Sequence, residues 1–353
     1  MSRASAPNSK SQNSRRKAWP YIKWSLFALV MYFVVQRGMA LWNQDELANV
    51  EIDYTWLFAA ALAYLMGWLP AVWFWQQLIL AFGSQVNFLQ TCRAYFPGHL
   101  GKYIPGKATV VVIRATMLKD QGVTVGCSTI TVLCETLITM GSGLVVGLAM
   151  APWIFPEPLW KRLPSWLRYF ENHELLFTAS VVVLSVFGLS MLAQVFSLIV
   201  NKMLTATRND VQSINVDARL LIRGLLVLCL GWVFHGLSLG FTLLAVDGSA
   251  FSLADWPACT ATISLATSVS FFVLIAPGGL GIREGLIIEF LSMQPGIGAK
   301  TAIVAAVLLR VISLVSEIVA SAILYYAARR PRQVTATDQV DQHTQDESAT
   351  PKE

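Results

Sequence analysis

Residues 300–328 read KTAIVAAVLLRVISLVSEIVASAILYYAA, an apolar stretch in which Arg310 and Glu317 are the only charged residues after the first position. A helix needs about 20 predominantly apolar residues to cross a bilayer, because each residue advances its axis by about 1.5 Å. This stretch is therefore long enough to span a membrane. Arg310 and Glu317 are seven residues apart and fall on one face of such a helix.

The rest of the chain has the same character. Of its 353 residues, 55% are hydrophobic and only 13% are charged, whereas soluble proteins average about 25% charged residues. Two apolar segments, 86–118 and 258–293, are interrupted by proline and glycine. We therefore predict an all-α fold, a polytopic membrane helix bundle with six full spans and two broken re-entrant segments, or seven or eight apolar segments if the broken ones count as spans. The six full spans are predicted at 20–41, 55–82, 124–150, 174–201, 219–246 and 300–328.

Charge predicts the orientation and the domain limits. Cations cluster at the ends of alternate apolar segments, which by the positive-inside rule places both termini in the cytoplasm and the protein in the cytoplasmic (inner) membrane. The connection at 151–173 breaks this pattern, and its tryptophans favour a position in the membrane interface. We predict one integral membrane domain, 19–330, between disordered tails at 1–18 and 331–353. A net charge of +5 distributed in this way does not indicate a nucleic-acid partner.

The broken segments share a pattern, P-G-x-L-G, repeated 180 residues apart. After each copy come a turn led by glycine, at Gly122 and Gly296, and a span with a central ionisable residue. We predict an inverted duplication of residues 55–150 and 219–328, in which each broken segment is a hairpin that turns at its motif and lines a cavity. Two ordinary proline-kinked spans are the alternative. The predicted hinge residues are Pro97, Gly98 and Gly101 in the first copy and Pro277, Gly278, Gly279 and Gly281 in the second.

Ionisable side chains at membrane depth are costly and therefore informative. One interpretation is structural, with Glu135 paired to Arg310 or Arg283 and the two histidines, His99 and His235, held by hydrogen bonds or packing. The other is functional, with Arg283 and the backbone of its half-helix binding a phosphate while glutamates position the arginines. In the first copy Lys102, Lys107 and Arg114 are candidates to receive the same headgroup. The candidate residues in the spans and the second copy are Glu135, Arg283, Glu284, Glu289, Arg310 and Glu317.

Two islands, PGHLGKYIPGK at 97–107 and APGGLGIREG at 276–285, resemble the membrane domain of lysylphosphatidylglycerol synthases/flippases. That wider family includes stand-alone flippase-like proteins and the membrane half of an archaeal dolichyl-phosphate glycosyltransferase. The resemblance extends over about 20–328. It is supported by Arg114, residues 119–123, Glu135 and Arg310.

The resemblance implies a role in moving or handling polar lipids, with Arg283, Glu284 and Arg310 at motif positions. Two departures limit what is carried over. Bifunctional members have a soluble aminoacyl-transferase domain after the membrane part, where this chain has a short polar tail, so lysine transfer is not implied. The position after Gly101 is often acidic in the family, whereas here it is Lys102.

Three functions follow as hypotheses. The first is a flippase-like protein that translocates or handles a polar, phosphate-bearing lipid, with Glu135 or Glu317 carrying a proton. The second is a non-catalytic partner of a separate glycosyltransferase or lipid-modifying enzyme, and the third is a membrane-embedded transferase that uses a lipid-linked donor. The sequence has no nucleotide-binding loop, D-x-D motif or His/Cys ligand cluster. We therefore expect membrane lipids as partners, no cofactor, no metal and no catalytic residue.

Overall fold

The computed structural model describes residues 51–103, 108–154, 169, 173, 175–185, 187–188, 194, 218–272 and 281–327. Over these ranges the regular structure is helical, with α-helices joined by turns and short 3₁₀ segments. The helices are α1 (Tyr54–Ala81), α2 (Phe88–Leu100), α3 (Ala108–Met117), α4 (Val125–Ala149), α5 (Leu175–Ser185), α6 (Ala218–Val246), α7 (Trp256–Phe272), α8 (Ile282–Ser292) and α9 (Ala299–Ala327).

Side-chain caps define where several helices begin. The Asp53 carboxylate accepts a hydrogen bond from Thr55 N at 2.8 Å before α1, and the Thr124 hydroxyl accepts one from Cys127 N at 3.1 Å before α4. Asn87 and Gln90 form a reciprocal capping box at the start of α2. Such caps satisfy backbone N–H groups that have no partner within the helix.

Four helices of the described ranges, α1, α4, α6 and α9, are long and apolar enough to cross a membrane. Their bounds agree within about two residues with four of the predicted spans, and the chain is a multi-pass membrane protein. The predicted span at 20–41 and most of the one at 174–201 lie outside the described residues, although α5 covers the start of the latter. Along the middle of α9 the exposed side chains are apolar, as expected for a surface against lipid: Val307, Val311, Leu314, Val315 and Ile318.

Both interrupted segments consist of two short helices. At about 1.5 Å per residue, α2 and α3 are about 20 and 15 Å long, too short for either to cross a core of about 30 Å. A β-carbon added to Gly101, directly after α2, would lie 2.9 Å from Val110 N in α3, so the chain returns on itself here. Of the predicted hinge residues in this copy, Pro97 and Gly98 lie in the last turn of α2, whereas Gly101 follows the end of the helix at Leu100.

In the second interrupted segment the motif at 277–281 lies between α7 and α8, mostly outside the described residues. α7 ends at Phe272 and α8 starts at Ile282. Gly281 caps α8 with φ +82°, a left-handed conformation that glycine adopts without a steric penalty. The predicted hinge residues Pro277, Gly278 and Gly279 lie outside the described residues.

Helices α1 and α6 pack against each other along much of their length and run antiparallel. The backbone N–H of Asp53 donates to the carbonyl of Ala245 at one end, and the Ser238 hydroxyl donates to the carbonyl of Ala60 further along. Glycine permits the close approach, since a β-carbon on Gly231 would lie 2.6 Å from the carbonyl oxygen of Gly67. Small residues bring backbones together in the same way in many membrane bundles.

Two stretches of the described chain have the same helix order. A long helix is followed by two short helices and a second long helix in α1 to α4 and in α6 to α9. The first short helix of each stretch packs on the last long helix of the other, so α2 contacts α9 and α7 contacts α4. The glycine turns before the last long helices have similar backbone angles, with φ +76° at Gly122 and +85° at Gly296.

Candidate functional site

Glu317 of α9 is the centre of a group of polar side chains inside the bundle. Its side chain is fully buried, and its Oε1 atom accepts a hydrogen bond from the hydroxyl of Tyr64 on α1. The same oxygen lies 2.5 Å from Nζ of Lys102, which follows α2, and 3.5 Å from Nε2 of His99. One carboxylate oxygen therefore connects α1, α2 and α9.

Arg310, two turns before Glu317 on α9, connects to the other interrupted segment. Its Nη1 atom lies 3.4 Å from Oε1 of Glu284 on α8, and its guanidinium carbon lies 5.2 Å from the centre of the Tyr103 ring. The second oxygen of Glu284 accepts a hydrogen bond from Gly281 N at 2.7 Å. Glu284 thus stabilises the start of α8 with one oxygen and positions Arg310 with the other.

Arg283, in the first turn of α8, faces the same group. It interacts electrostatically with Tyr64, His99, Lys102 and Tyr103. Among the described residues, no carboxylate lies within ion-pair distance of Arg283, and its buried Nε atom has no hydrogen-bond partner. A cation so placed at a helix N-terminus is suited to an anionic ligand.

These five ionisable residues, Lys102, Arg283, Glu284, Arg310 and Glu317, are here called the charged cluster. Its three cations and two carboxylates leave one positive charge. Tyr64 lies ten residues after the start of α1, and Glu317 lies ten residues before the end of α9. At about 1.5 Å per residue each is about 15 Å from a helix end, which is half the thickness of a hydrocarbon core.

Glu135 does not join the charged cluster. It forms an ion pair with Arg114, with 2.9 Å between Oε2 and Nη1, and both side chains are almost completely buried. Tyr95 donates to its other oxygen at 2.9 Å. The guanidinium of Arg114 lies 3.9 Å from the ring centre of Tyr95 and 4.6 Å from that of Trp75. The predicted pairing of Glu135 with Arg310 or Arg283 is therefore wrong, because Arg114 across the α3–α4 turn is closer.

Aromatic rings enclose the charged cluster. The ring of Trp68 lies 4.1 Å from that of His99 and 5.1 Å from that of His235, measured between centres. Tyr95 stacks on His99 at 5.7 Å. His99 is thus held chiefly by ring packing, and its Nε2 atom lies 3.5 Å from Oε1 of Glu317 without a hydrogen bond.

The structure sorts the predicted residues into three groups. Lys102, Arg283, Glu284, Arg310 and Glu317 meet in the charged cluster. Arg114 and Glu135 form a separate closed pair, Glu289 lies on the exposed side of α8, and Lys107 lies outside the described residues. The sequence analysis missed Tyr64, Trp68 and Tyr103, whose only signal is that they are aromatic residues at helical spacing or next to the motif.

A comparison with protein families decides the assignment of the chain. Residues 20–321 match the family described as the lysylphosphatidylglycerol synthase TM region. The chain belongs to this family. Membership of the lysylphosphatidylglycerol synthase TM family indicates a role in handling membrane lipids, and it confirms the resemblance seen in the two sequence islands. No curated protein matches the sequence.

Within the described residues, no group of three His, Cys, Asp or Glu side chains is arranged to hold a metal ion. What this member of the lysylphosphatidylglycerol synthase TM family offers is a partly buried, net positive cluster bordered by aromatic rings. Such a site can bind an anionic group and hold it through charge-assisted hydrogen bonds.

Proposed function

We propose that this protein binds a polar lipid with a phosphate in its headgroup and translocates it across the cytoplasmic membrane. The observation that supports this most is the charged cluster, which combines an excess cation, Arg283, with a position near mid-membrane in a lipid-handling family. A headgroup that crosses the bilayer must be stabilised where no water is available. The acyl or prenyl tails would stay in the surrounding lipid.

We propose an inverted repeat as the framework for translocation. The equivalent helices α1 and α6 run antiparallel, which supports two halves with opposite orientations. The exchanged contacts, α2 with α9 and α7 with α4, support the same arrangement. Sites at the interface of inverted repeats are common in transporters, because rocking one half against the other exposes the site to either side.

We propose that α2–α3 and α7–α8 are re-entrant hairpins that enter from opposite sides of the membrane. Their short lengths and the return of the chain at Gly101 support this over two kinked spans. With both termini in the cytoplasm, Lys102 would approach the cluster from the cytoplasmic hairpin and Arg283 from the opposite one. A headgroup between them would be reached from either leaflet.

The residues would have distinct roles. Arg283 and the backbone N–H groups at the start of α8 would bind the phosphate. Arg310, oriented by Glu284, and Lys102, oriented by Glu317, would stabilise the same charge as it passes. Arg114 is buried against Trp75 and Tyr95, so it is not a candidate to receive the headgroup.

Proton coupling would involve Glu317. The sequence also offered Glu135 as a candidate, but its ion pair with Arg114 is almost completely buried. Glu317 instead contacts Tyr64 of α1 and both His99 and Lys102 of the first interrupted segment, and it lies in the charged cluster itself. Translocation would otherwise proceed down the lipid gradient.

The test is lipid exchange in proteoliposomes. Lipids with a fluorophore on an acyl chain, of the phosphatidylglycerol and phosphatidylcholine types, are quenched from outside with dithionite. Arg283→Gln should abolish exchange above empty vesicles, whereas Arg223→Gln, an exposed arginine on α6, should leave it intact at matched reconstitution. Absence of exchange by folded wild-type protein for every lipid would instead favour a non-catalytic partner of a lipid-modifying enzyme.

A further inference from the structure

The ammonium group of Lys102 is surrounded by a carboxylate and aromatic rings, the same kinds of groups that bind ammonium ligands in proteins. It lies 2.5 Å from Oε1 of Glu317, 5.0 Å from the ring centre of Tyr103 and 5.7 Å from that of Trp68. A carboxylate with aromatic faces at such distances attracts a cation through charge and through the ring quadrupoles. The pocket around Glu317 therefore has the chemistry of an ammonium site.

Glu317 has more acceptor capacity than its contacts use. Its side chain is 0% exposed, whereas that of Lys102 is 22% exposed. The Oε2 atom of Glu317 is buried and has no hydrogen-bond partner. A buried acceptor without a partner is costly in a protein interior, so it marks a place where a further donor would be stabilised.

The other carboxylate of the charged cluster is also engaged. Glu284 accepts the Gly281 N–H with one oxygen and pairs with Arg310 through the other. The cluster thus presents Arg283 for an anion, while both oxygens of Glu284 are engaged within the chain and Oε1 of Glu317 is held by Lys102.

We propose that Lys102 occupies, with its own ammonium group, the site in which the amine of a lipid headgroup would bind. The protein thereby selects anionic phospholipids without an amine and rejects zwitterionic lipids with a primary amine. The phosphate of either lipid could reach Arg283, but only the amine would compete with Lys102 for Glu317. This inference rests on the proposed function, since it specifies the lipid class that the charged cluster binds.

The test is the binding preference of the full-length protein in detergent, measured by native mass spectrometry with equimolar phosphatidylglycerol and phosphatidylethanolamine. The wild type should retain phosphatidylglycerol preferentially. In Lys102→Gln the preference ratio should fall about tenfold, which corresponds to about 1.4 kcal/mol, because Glu317 becomes available to the amine. Lys102→Arg, which keeps a cation there, and Lys119→Gln, an exposed lysine away from the cluster, should keep the wild-type ratio.

Glu317→Gln gives an independent result if Lys102→Gln does not yield folded protein. Without the carboxylate, the preference for phosphatidylglycerol over phosphatidylethanolamine should persist, because no acceptor for the amine remains. Equal binding of both lipids by the wild type, an unchanged ratio in folded Lys102→Gln, or a gain of phosphatidylethanolamine binding in Glu317→Gln would overturn the proposal.

Exchange measurements on the same variants separate the two proposals. If the wild type exchanges no lipid, translocation is refuted, whereas the binding ratios still decide the role of Lys102. If the wild type exchanges phosphatidylglycerol and Lys102→Gln keeps the wild-type selectivity, translocation stands and the role of Lys102 is refuted.

Discussion

Replacing Glu135 by alanine would leave the guanidinium of Arg114 buried without its carboxylate. The Arg114 side chain is 2% exposed and is enclosed by Trp75 and Tyr95, so water cannot replace the missing charge. The hydroxyl of Tyr95 would lose its acceptor as well. This substitution therefore tests whether the Arg114–Glu135 ion pair stabilises the packing of α3 against α4.

Breaking a buried pair by removing one partner costs about 3–5 kcal/mol, because an uncompensated charge remains. Since proteins are stabilised by about 5–15 kcal/mol in total, Glu135→Ala should lose a large part of its stability. Replacing both partners, as in Arg114→Met/Glu135→Leu, should cost much less, because no buried charge is left unpaired.

The assay is unfolding by SDS titration in mixed micelles, followed by circular dichroism. Glu289→Ala, at an exposed position of α8, serves as the control and should unfold like the wild type. A Glu135→Ala protein as stable as the wild type that nevertheless lost lipid exchange would refute the structural assignment, because it would place Glu135 in the translocation path.

Two further predictions concern the framework. Gly231→Ala would place a β-carbon 2.6 Å from the carbonyl oxygen of Gly67 and should destabilise the protein by about 1–3 kcal/mol through overpacking. Gly126→Ala, with open space around it, is the control and should have little effect. The same SDS titration measures both variants, and a Gly231→Ala protein as stable as the wild type would contradict the close α1–α6 contact. In a background without native cysteines, an impermeant maleimide applied to intact cells should label Leu253→Cys but not Asp120→Cys, and the reverse pattern would contradict the proposed orientation.

The long helices could be predicted from sequence because an apolar stretch of more than 20 residues has few alternatives. Residues 55–82 and 300–328 correspond closely to α1 and α9. In the first broken segment, Pro97 and Gly98 were predicted as hinge residues together with Gly101, but both lie inside α2. Pro97 lacks a backbone donor, but near the end of a helix only one hydrogen bond is lost, so α2 continues to Leu100.

The composition of the charged cluster was largely predictable, and its pairing was not. Burial of Arg283, Arg310 and Glu317 in one membrane domain implies that they need partners, since unpaired charges at that depth are costly. Which partner each finds depends on helix rotation and register. A single sequence does not contain that information, so the structural interpretation paired Glu135 with Arg310 or Arg283 and not with Arg114.

No sequence pattern indicated that the aromatic residues Tyr64 and Trp68 border the charged cluster. Trp68 and Tyr64 look like ordinary residues of an apolar span. Their proximity to the charged cluster follows from the packing of α1 against α2 and α9, which brings Tyr64 to Glu317 and Trp68 to Lys102. Tertiary contacts of this kind become visible only when the helices are assembled.

The central claim is that the charged cluster binds the phosphate of a lipid. The most direct measurement is an experimental density map of the protein in nanodiscs that contain anionic phospholipid. The account predicts a phosphate density within about 3 Å of the Arg283 guanidinium, the distance of a charge-assisted hydrogen bond. Lipid density confined to the outer faces of the bundle, with none at Arg283, would contradict it.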